Sequence, residues 1–220
     1  MLKAILMDFD GVIIDTELIY FKVFKEWLKV NNNYEISLQE FQMCIGTGDE
    51  ILFNYLSKEK NIAVNREQFF VDSHATVMEQ SRALPPKAGV VDFIKQVKEN
   101  GLKLALVTSN TSESPTYHLK RFGLLDEFDH IVTREDVKNV KPSPELYIKA
   151  LELLNLQPNQ AIAIEDSLNG FLAGRAAGLE VIAIPHQVTE SLVFEGAYKR
   201  LKSLTEIGVC ELVSDFTKAI

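Results

Sequence analysis

The chain has 220 residues, of which 46% are hydrophobic and 25% are charged. This balance is typical of a folded globular protein and excludes a disordered or collagen-like chain. The formal net charge is −8, and an acidic surface repels both nucleic acid and anionic lipid, so we expect neither nucleic acid nor a membrane as a partner.

The length suits one domain, or one domain with a small second one. No apolar run is long enough to span a bilayer, and Asp8 and Asp10 interrupt the apolar stretch at the start of the chain, which excludes a secretory signal. Cys44 and Cys210 are too few for a disulfide framework, and their apolar neighbours predict two reduced core thiols. We therefore expect a cytoplasmic protein.

Five short apolar runs are the predicted β-strands, and helical patterns lie between them. The runs are 3–9, 102–108, 130–133, 161–164 and 180–184. Each run is apolar throughout, which is typical of parallel strands that are covered on both faces. The helical patterns are 90–100, 144–154 (with Ser143 as N-cap) and 167–177. Strands that alternate with helices predict an α/β fold with a doubly wound, Rossmann-like parallel sheet.

The segment 15–83 breaks this alternation and carries no strand pattern. Apolar residues at helical spacing run from Leu18 to Leu28, and 51–56 and 67–79 are also predicted helices. Such a segment is too long for a loop in a compact domain. We therefore predict an inserted small α-helical cap domain over 15–83, with 1–14 and 84–220 forming the catalytic core. Because the chain crosses between the two domains twice, the cap could close over the core as a lid.

Polar side chains stand at the ends of the predicted strands, where open α/β sheets bind their ligands. They are Asp8 and Asp10 after the first strand, Thr108, Ser109 and Asn110 after the second, Lys141 before a helix, and Glu165 and Asp166 after the fourth. If the first strand is central and the second and fourth flank it, these groups converge on one crevice.

This set of residues suits phosphoryl transfer. Carboxylates without a neighbouring His or Cys favour a hard cation such as Mg²⁺. A carboxylate can attack phosphorus and form an acyl phosphate, provided that a metal and a cation offset the repulsion between the two anions. Lys141 supplies that cation, and Ser109 and nearby backbone amides can donate to the phosphate. Asp10 can reach the leaving group as general acid and then as general base.

Each feature alone has a common structural explanation. An Asp-x-Asp pair is often a surface acidic pair, Glu165-Asp166 can meet a helix N-terminus, Ser109-Asn110 can form a turn, and Lys141 can be a solvated lysine. Their occurrence in order at successive strand ends is what favours a catalytic site. The four histidines lack metal-ligand spacing and are predicted to be surface or loop residues. They are His74, His118, His130 and His186.

The combination resembles the haloacid dehalogenase superfamily of phosphohydrolases over nearly the whole chain. Four segments carry the resemblance: DFDGVIIDT at 8–16, VTSN at 107–110, VKPSPELY at 140–147 and IEDSLNG at 164–170. The helical insertion after the first of them is similar to the family's type-one cap. Within the family, the chain looks most like the branch of phosphatases and β-phosphoglucomutase-like proteins.

The resemblance implies roles for the site residues. Asp8 would be the nucleophile and Asp10 the general acid and base, while Ser109 and Lys141 would hold the phosphoryl group. The further phosphate- or substrate-binding positions would be Thr108, Asn110, Thr16 (which also matches a hinge position), Tyr20 and Gly46.

The resemblance also implies a Mg²⁺ site made of oxygen atoms. Its ligands would be Asp8, the backbone carbonyl of Asp10, and Asp166. Glu165 would be a further ligand or a partner of the ligands.

Two cap positions depart from the family's mutases, which carry a histidine at the position of Tyr20 and an arginine at the position of Asp49. Because Asp49 would repel the second phosphate of a bisphosphate, we expect a phosphatase that acts on a small phosphorylated metabolite, a sugar phosphate, through an aspartyl-phosphate intermediate. We expect a monomer or weak dimer. The alternatives are a β-phosphoglucomutase-like mutase and a catalytically silent binding or regulatory protein on the same scaffold.

Overall fold

The computed structural model describes residues 1–218, which form a six-stranded parallel sheet flanked by helices. The strands are β1 (Ala4–Met7), β2 (Lys103–Val107), β3 (His130–Val132), β4 (Ala161–Glu165), β5 (Glu180–Ala183) and β6 (Lys199–Arg200). The helices are α1 (Glu17–Asn32), α2 (Leu38–Gln42), α3 (Glu50–Glu59), α4 (Arg66–Ser81), α5 (Val90–Glu99), α6 (Glu113–Phe122), α7 (Glu145–Leu154), α8 (Leu168–Ala176) and α9 (Val209–Lys218).

The strand order is β3-β2-β1-β4-β5-β6, so β1 is central and lies between β2 and β4. Met7 at the end of β1 is in register with Leu106 on β2 and with Ile164 on β4. The carboxyl ends of these three strands therefore lie side by side. This is the arrangement in which the polar side chains that follow them can converge on one crevice.

Helices cover both faces of the sheet, which confirms the predicted doubly wound α/β fold. Ile5 and Met7 belong to one hydrophobic cluster and Ala4 and Leu6 to another, because side chains alternate along a strand. The first cluster includes side chains of α5, α6 and α9, and the second includes side chains of α7 and α8.

The segment 15–83, called the cap segment below, contains α1 to α4 and has a hydrophobic cluster of its own. Phe69 on α4 lies at its centre, with ring centroids 4.6 Å from Phe24 and 5.0 Å from Phe53. Both pairs are T-shaped, a favoured arrangement of aromatic rings. Val188 joins this cluster from outside the segment. The helices predicted over 51–56 and 67–79 are confirmed by α3 and α4.

Two local expectations differ from the structure. The strand β6 was not predicted, because its two residues, Lys199 and Arg200, carry no apolar pattern; backbone pairing with β5 alone defines it. The N-cap of α7 is Pro144 rather than Ser143. Pro144 has a helical backbone but no amide hydrogen. The first amide of the helix is therefore that of Glu145, which donates a long hydrogen bond of 3.4 Å to the hydroxyl of Ser143.

The two cysteines have different environments. Cys44 is buried, as predicted, but Cys210 is exposed, which contradicts the expectation of a core thiol. On α9 the neighbouring Val209 and Leu212 face the core, and helical geometry turns Cys210 away from it. Within residues 1–218, no helix combines the length and the apolar character that crossing a membrane requires.

Candidate active site

Three carboxylates meet at the carboxyl end of the sheet. Asp8 directly follows β1, and its amide donates to the carbonyl of Ile164 on β4 at 3.0 Å. This pairing places Asp8 beside Glu165 and Asp166, and one oxygen atom from each of the three lies within 4.8 Å of the others. All three side chains are buried, so Asp8, Glu165 and Asp166 are not surface acids.

Lys141 is completely enclosed among these acids. Its Nζ donates to Asp8 Oδ1 at 2.7 Å and to the carbonyl of Val107 at 2.8 Å, and it forms an ion pair with Glu165 Oε1 at 2.7 Å. Three oxygen partners match the three hydrogens of an ammonium group. The side chain is not a solvated surface lysine but a buried cation that contacts the predicted nucleophile.

The cluster nevertheless carries an excess of negative charge. Burial and the neighbouring Glu165 raise the pKa of Asp8 well above its usual range, and burial raises the pKa of Glu165 as well. Burial alone would lower the pKa of Lys141, but Asp8 and Glu165 raise it, so the ammonium stays charged. Lys141 pairs with two of the three carboxylates, and a bound cation would stabilise the ionised forms of all three.

Two buried oxygens of the cluster have no hydrogen-bond partner among the described residues, namely Asp166 Oδ1 and Glu165 Oε2. Buried polar atoms are normally satisfied, so unpartnered oxygens in an acidic cluster are typical of a cation-binding site. An all-oxygen donor set of this kind fits Mg²⁺. The side chain of Asp10 is not part of the cluster.

The carboxyl group of Asp10 is held by two other predicted site residues. Thr16 Oγ1 donates to Asp10 Oδ1 at 2.5 Å, and Asn110 Nδ2 lies 3.3 Å from Asp10 Oδ2 and 3.2 Å from the hydroxyl of Tyr20. Burial raises the pKa of Asp10. A raised pKa keeps a carboxyl protonated to higher pH, which is what a general acid requires.

The cap segment lies against this site through the turn around Gly46. Ser109 Oγ donates to the carbonyl of Gly46 at 2.9 Å, and Asn169 Nδ2 donates to the carbonyls of Met43 at 3.2 Å and Ile45 at 2.8 Å. Gly46 has φ of 75°, and a Cβ atom there would lie only 2.1 Å from Ser167 Oγ. Only glycine therefore permits this close approach.

A cavity extends from the strand ends to the cap segment and encloses about 770 Å³ of empty space, its open mouth included. Asp8, Asp10, Thr108, Ser109, Asn110, Tyr20 and Gly46 all line it, so the structure brings most of the predicted site residues together. Lys141, Glu165 and Asp166 are not among the lining residues, but all three lie close to Asp8, which is.

Sequence reasoning missed several residues of the cavity wall. They include Glu17, Phe70, His74 and Arg134. Glu17 follows Thr16 directly, and Arg134 follows the end of β3, so extending the strand-end rule to β3 would have found Arg134. Nothing in the sequence distinguishes Phe70 or His74 on α4 from ordinary helix residues.

The prediction of a surface or loop position is wrong for His118, which is fully buried in α6. Burial together with Arg121 lowers the pKa of His118 to about 4. His186 lies in a loop, as predicted, and its Nε2 is 2.7 Å from Asp166 Oδ2. Sequence reasoning missed this contact with a predicted site residue.

The comparison with known proteins agrees with this architecture. The family model of haloacid dehalogenase-like hydrolases matches residues 5–184. YhcW of Bacillus subtilis, a candidate phosphatase, is 36% identical over 217 residues, covering 97% of both chains. A phosphorylated carbohydrates phosphatase of Thermotoga maritima is 30% identical, covering 96% of this chain and 94% of its own.

A solved structure has the same fold. CbbY of Rhodobacter sphaeroides, crystallised with xylulose-1,5-bisphosphate, superposes with a TM-score of 0.80 and 28% identity, covering 94% of this chain and 97% of its own. The family model spans most of the chain. The chain therefore belongs to the haloacid dehalogenase-like hydrolases.

Proposed function

We propose that this protein is a Mg²⁺-dependent phosphatase that hydrolyses a small phosphorylated metabolite, a sugar phosphate, through an aspartyl-phosphate intermediate. The phosphatase class is supported by the family and by relatives of that name. The observation that carries the proposal is the buried contact of Asp8 with Lys141, next to Glu165 and Asp166 at the end of β1.

In the proposed first step, a carboxylate oxygen of Asp8 attacks phosphorus, and the bond between phosphorus and the leaving oxygen breaks. Asp10 gives its proton to that oxygen. In the second step, Asp10 removes a proton from water, whose oxygen attacks the phosphorus of the aspartyl phosphate. The Asp8 carboxylate and inorganic phosphate are then released, and Asp10 has regained its proton.

The other residues offset charge and hold the substrate. Lys141 stabilises the negative charge on Asp8 and on the phosphoryl group. Ser109 would donate to the phosphate once its hydroxyl leaves the carbonyl of Gly46. Asp8, Asp166 and the carbonyl of Asp10 would hold Mg²⁺, with Glu165 beside them. When bound, the metal would neutralise the charge of the attacking and transferred groups.

A sugar phosphate is the favoured substrate class. The cavity wall combines hydrogen-bonding groups such as Tyr20, Asn110 and Asp49 with the aromatic ring of Phe70, and such a surface suits a polyhydroxylated leaving group with one apolar face. The names of the Thermotoga phosphatase and of the CbbY complex point in the same direction.

Mutase activity is the second candidate, and one observation favours it. Arg134 lines the cavity with Asp49, so a cation is present on that side after all. Burial and Glu50 raise the pKa of Asp49 to about 6, so its repulsion of a second phosphate weakens only below about that pH. Asp49 therefore counts less strongly against a mutase than it does in the sequence alone. A measurement of how the products divide between free phosphate and isomerised sugar phosphate must distinguish the phosphatase from the mutase.

The proposal also includes a cytoplasmic location and a monomeric or weakly dimeric state. Both cysteines are unpaired in the described structure, which suits a reducing compartment.

The test is phosphate release from a panel of sugar phosphates with purified protein and Mg²⁺, run beside the variant Asp8→Asn. Asparagine keeps the size of the side chain and can still accept from Lys141, but it lacks the attacking charge. We expect at least a 10³-fold loss of turnover with an unchanged thermal midpoint. Near wild-type turnover of Asp8→Asn would refute the mechanism. Absence of turnover by the wild type on every substrate would favour the silent scaffold.

A further inference from the structure

His186 lies against one of the proposed metal ligands. Its Nε2 is 2.7 Å from Asp166 Oδ2, and the two side chains are only 8% and 1% exposed. A Cβ atom on Gly11 would lie 2.0 Å from Asp166 Oδ2 and 2.9 Å from His186 Nε2, so the glycine of the first motif leaves room for this pair. The contact between His186 and Asp166 is thus enclosed by other residues and does not lie at the surface.

The other ring nitrogen defines the direction of the hydrogen bond. The backbone amide of Val188 is 3.3 Å from His186 Nδ1, and an amide N–H can only donate. Nδ1 must therefore present a lone pair, and the proton of the neutral ring lies on Nε2. The ring donates this proton to Asp166 Oδ2.

This hydrogen bond gives the two carboxylate oxygens of Asp166 different surroundings. Oδ2 accepts from His186, whereas Oδ1 is buried and has no partner among the described residues. A carboxylate held in this way can present one oxygen to a cation and cannot rotate freely. Hydrogen bonds from outside the ligand set are known to orient ligating carboxylates and to raise metal affinity.

The loop that carries His186 is itself anchored. Thr189 Oγ1 accepts from the amide of His186 at 3.1 Å, and the amides of Thr189 and Glu190 donate to the carbonyl of His186 at 2.8 and 2.7 Å. Gln42 of the cap segment donates to the carbonyl of Val188 at 2.7 Å. The ring is therefore held at a defined place before any metal arrives.

We propose that His186 is a positioning residue for the metal site, which donates from Nε2 to Asp166 Oδ2 and thereby aims Asp166 Oδ1 at Mg²⁺. The inference rests on the Mg²⁺ site of the proposed function. It differs from the sequence interpretation, in which His186 has no part in the site.

The decisive measurement is the Mg²⁺ affinity of the protein without substrate, determined by titration calorimetry at pH 8. His186→Ala should weaken Mg²⁺ binding by about 10- to 100-fold, the usual effect of losing such a partner. His186→Gln should recover most of the affinity, because its amide can donate from a similar reach. His130→Gln, which changes a histidine at the start of β3, is the matched control and should bind Mg²⁺ as the wild type does.

The tautomer is tested separately in the wild type, so the proposal does not depend on how the variants fold. The ¹⁵N shifts of the His186 ring should show a protonated Nε2 and an unprotonated Nδ1. The opposite tautomer would overturn the proposal. So would unchanged Mg²⁺ affinity in His186→Ala, or a His186→Gln variant as weak as His186→Ala.

The outcomes also distinguish this inference from the proposed function. If the wild type binds Mg²⁺ and releases phosphate while His186→Ala binds Mg²⁺ equally well, only the role of His186 fails. If the wild type binds no Mg²⁺ at all, the metal part of the proposed function fails, and the role of His186 fails with it.

Discussion

Ser109 Oγ donates a hydrogen bond of 2.9 Å to the backbone carbonyl of Gly46, which joins the predicted phosphate-binding loop to the cap segment. The same hydroxyl is expected to bind the phosphoryl group, so it cannot keep both partners at full strength. Binding of phosphate must therefore reorganise the contact between core and cap. The neighbouring bonds of Asn169 to the same turn are free of this competition.

Asn169→Ala should loosen the cap segment without touching the reacting groups. It removes two hydrogen bonds to the carbonyls of Met43 and Ile45, each worth about 1 kcal/mol. We expect KM for a sugar phosphate to rise by about 5- to 30-fold, with a smaller change in kcat, as steady-state kinetics would show. Hydrogen exchange at residues 43–46 should become faster.

The matched control for this variant is Asn32→Ala. Asn32 also donates from its side-chain amide to a backbone carbonyl, that of Ala63, but both residues lie within the cap segment. We expect a smaller loss of stability, because one hydrogen bond is removed instead of two, and no rise in KM. Equal KM values for Asn169→Ala and the wild type would show that these bonds do not hold the cap on the core.

The loss of kcat/KM caused by Asp10→Ala should depend on the leaving group of the substrate. A general acid contributes about 10²- to 10⁴-fold when the leaving alkoxide needs a proton, and an aryl oxide needs this help less. We therefore expect a loss of that size on sugar phosphates and a much smaller loss on nitrophenyl phosphate, measured as kcat/KM. Equal losses on the two substrates would argue against Asp10 as the acid.

Asp49 should make stability depend on pH. Burial raises its pKa from 3.8 to about 6, so the native state binds more protons than the unfolded state between these values. The free energy of unfolding should therefore fall as the pH rises from about 4 to about 6, by at most about 3 kcal/mol. Asp49→Asn should remove this contribution and be the more stable protein at pH 7.

Urea denaturation at pH 4, 5, 6 and 7 provides the measurement, with Asp126→Asn at an exposed position as the control. The stability gained by Asp49→Asn should grow from near zero at pH 4 to about 1–3 kcal/mol at pH 7. A gain that stays constant over this range would contradict the raised pKa.

Hydrolysis should win over mutase chemistry. A mutase must hold the distal phosphate of a bisphosphate, and Tyr20 offers only a neutral hydroxyl, while Asp49 becomes an anion above about pH 6. With β-glucose 1-phosphate and a trace of the 1,6-bisphosphate, we expect more free phosphate than glucose 6-phosphate. Rapid formation of glucose 6-phosphate with little phosphate release would instead identify a mutase, with Arg134 as the first residue to examine.

The strand ends could be predicted from the sequence because they depend on local order along the chain. An apolar run followed at once by Asp8 and Asp10, or by Glu165 and Asp166, defines both a buried strand and the polar group at its end. Parallel strands present these ends at one edge of the sheet, whatever the details of packing. The fold class and the group around Asp8 were thus accessible without coordinates.

The rest of the site depended on packing between distant parts of the chain. Arg134 and His74 line the cavity only because β3 and α4 approach it from different sides, and His186 reaches Asp166 only because a loop after β5 folds back over the end of β4. Burial of Lys141 likewise requires three partners that lie at the ends of three different strands. The pattern of apolar residues along the chain indicates which side chains of a single helix or strand are buried. Contacts between helices, strands and loops are decided by the tertiary structure.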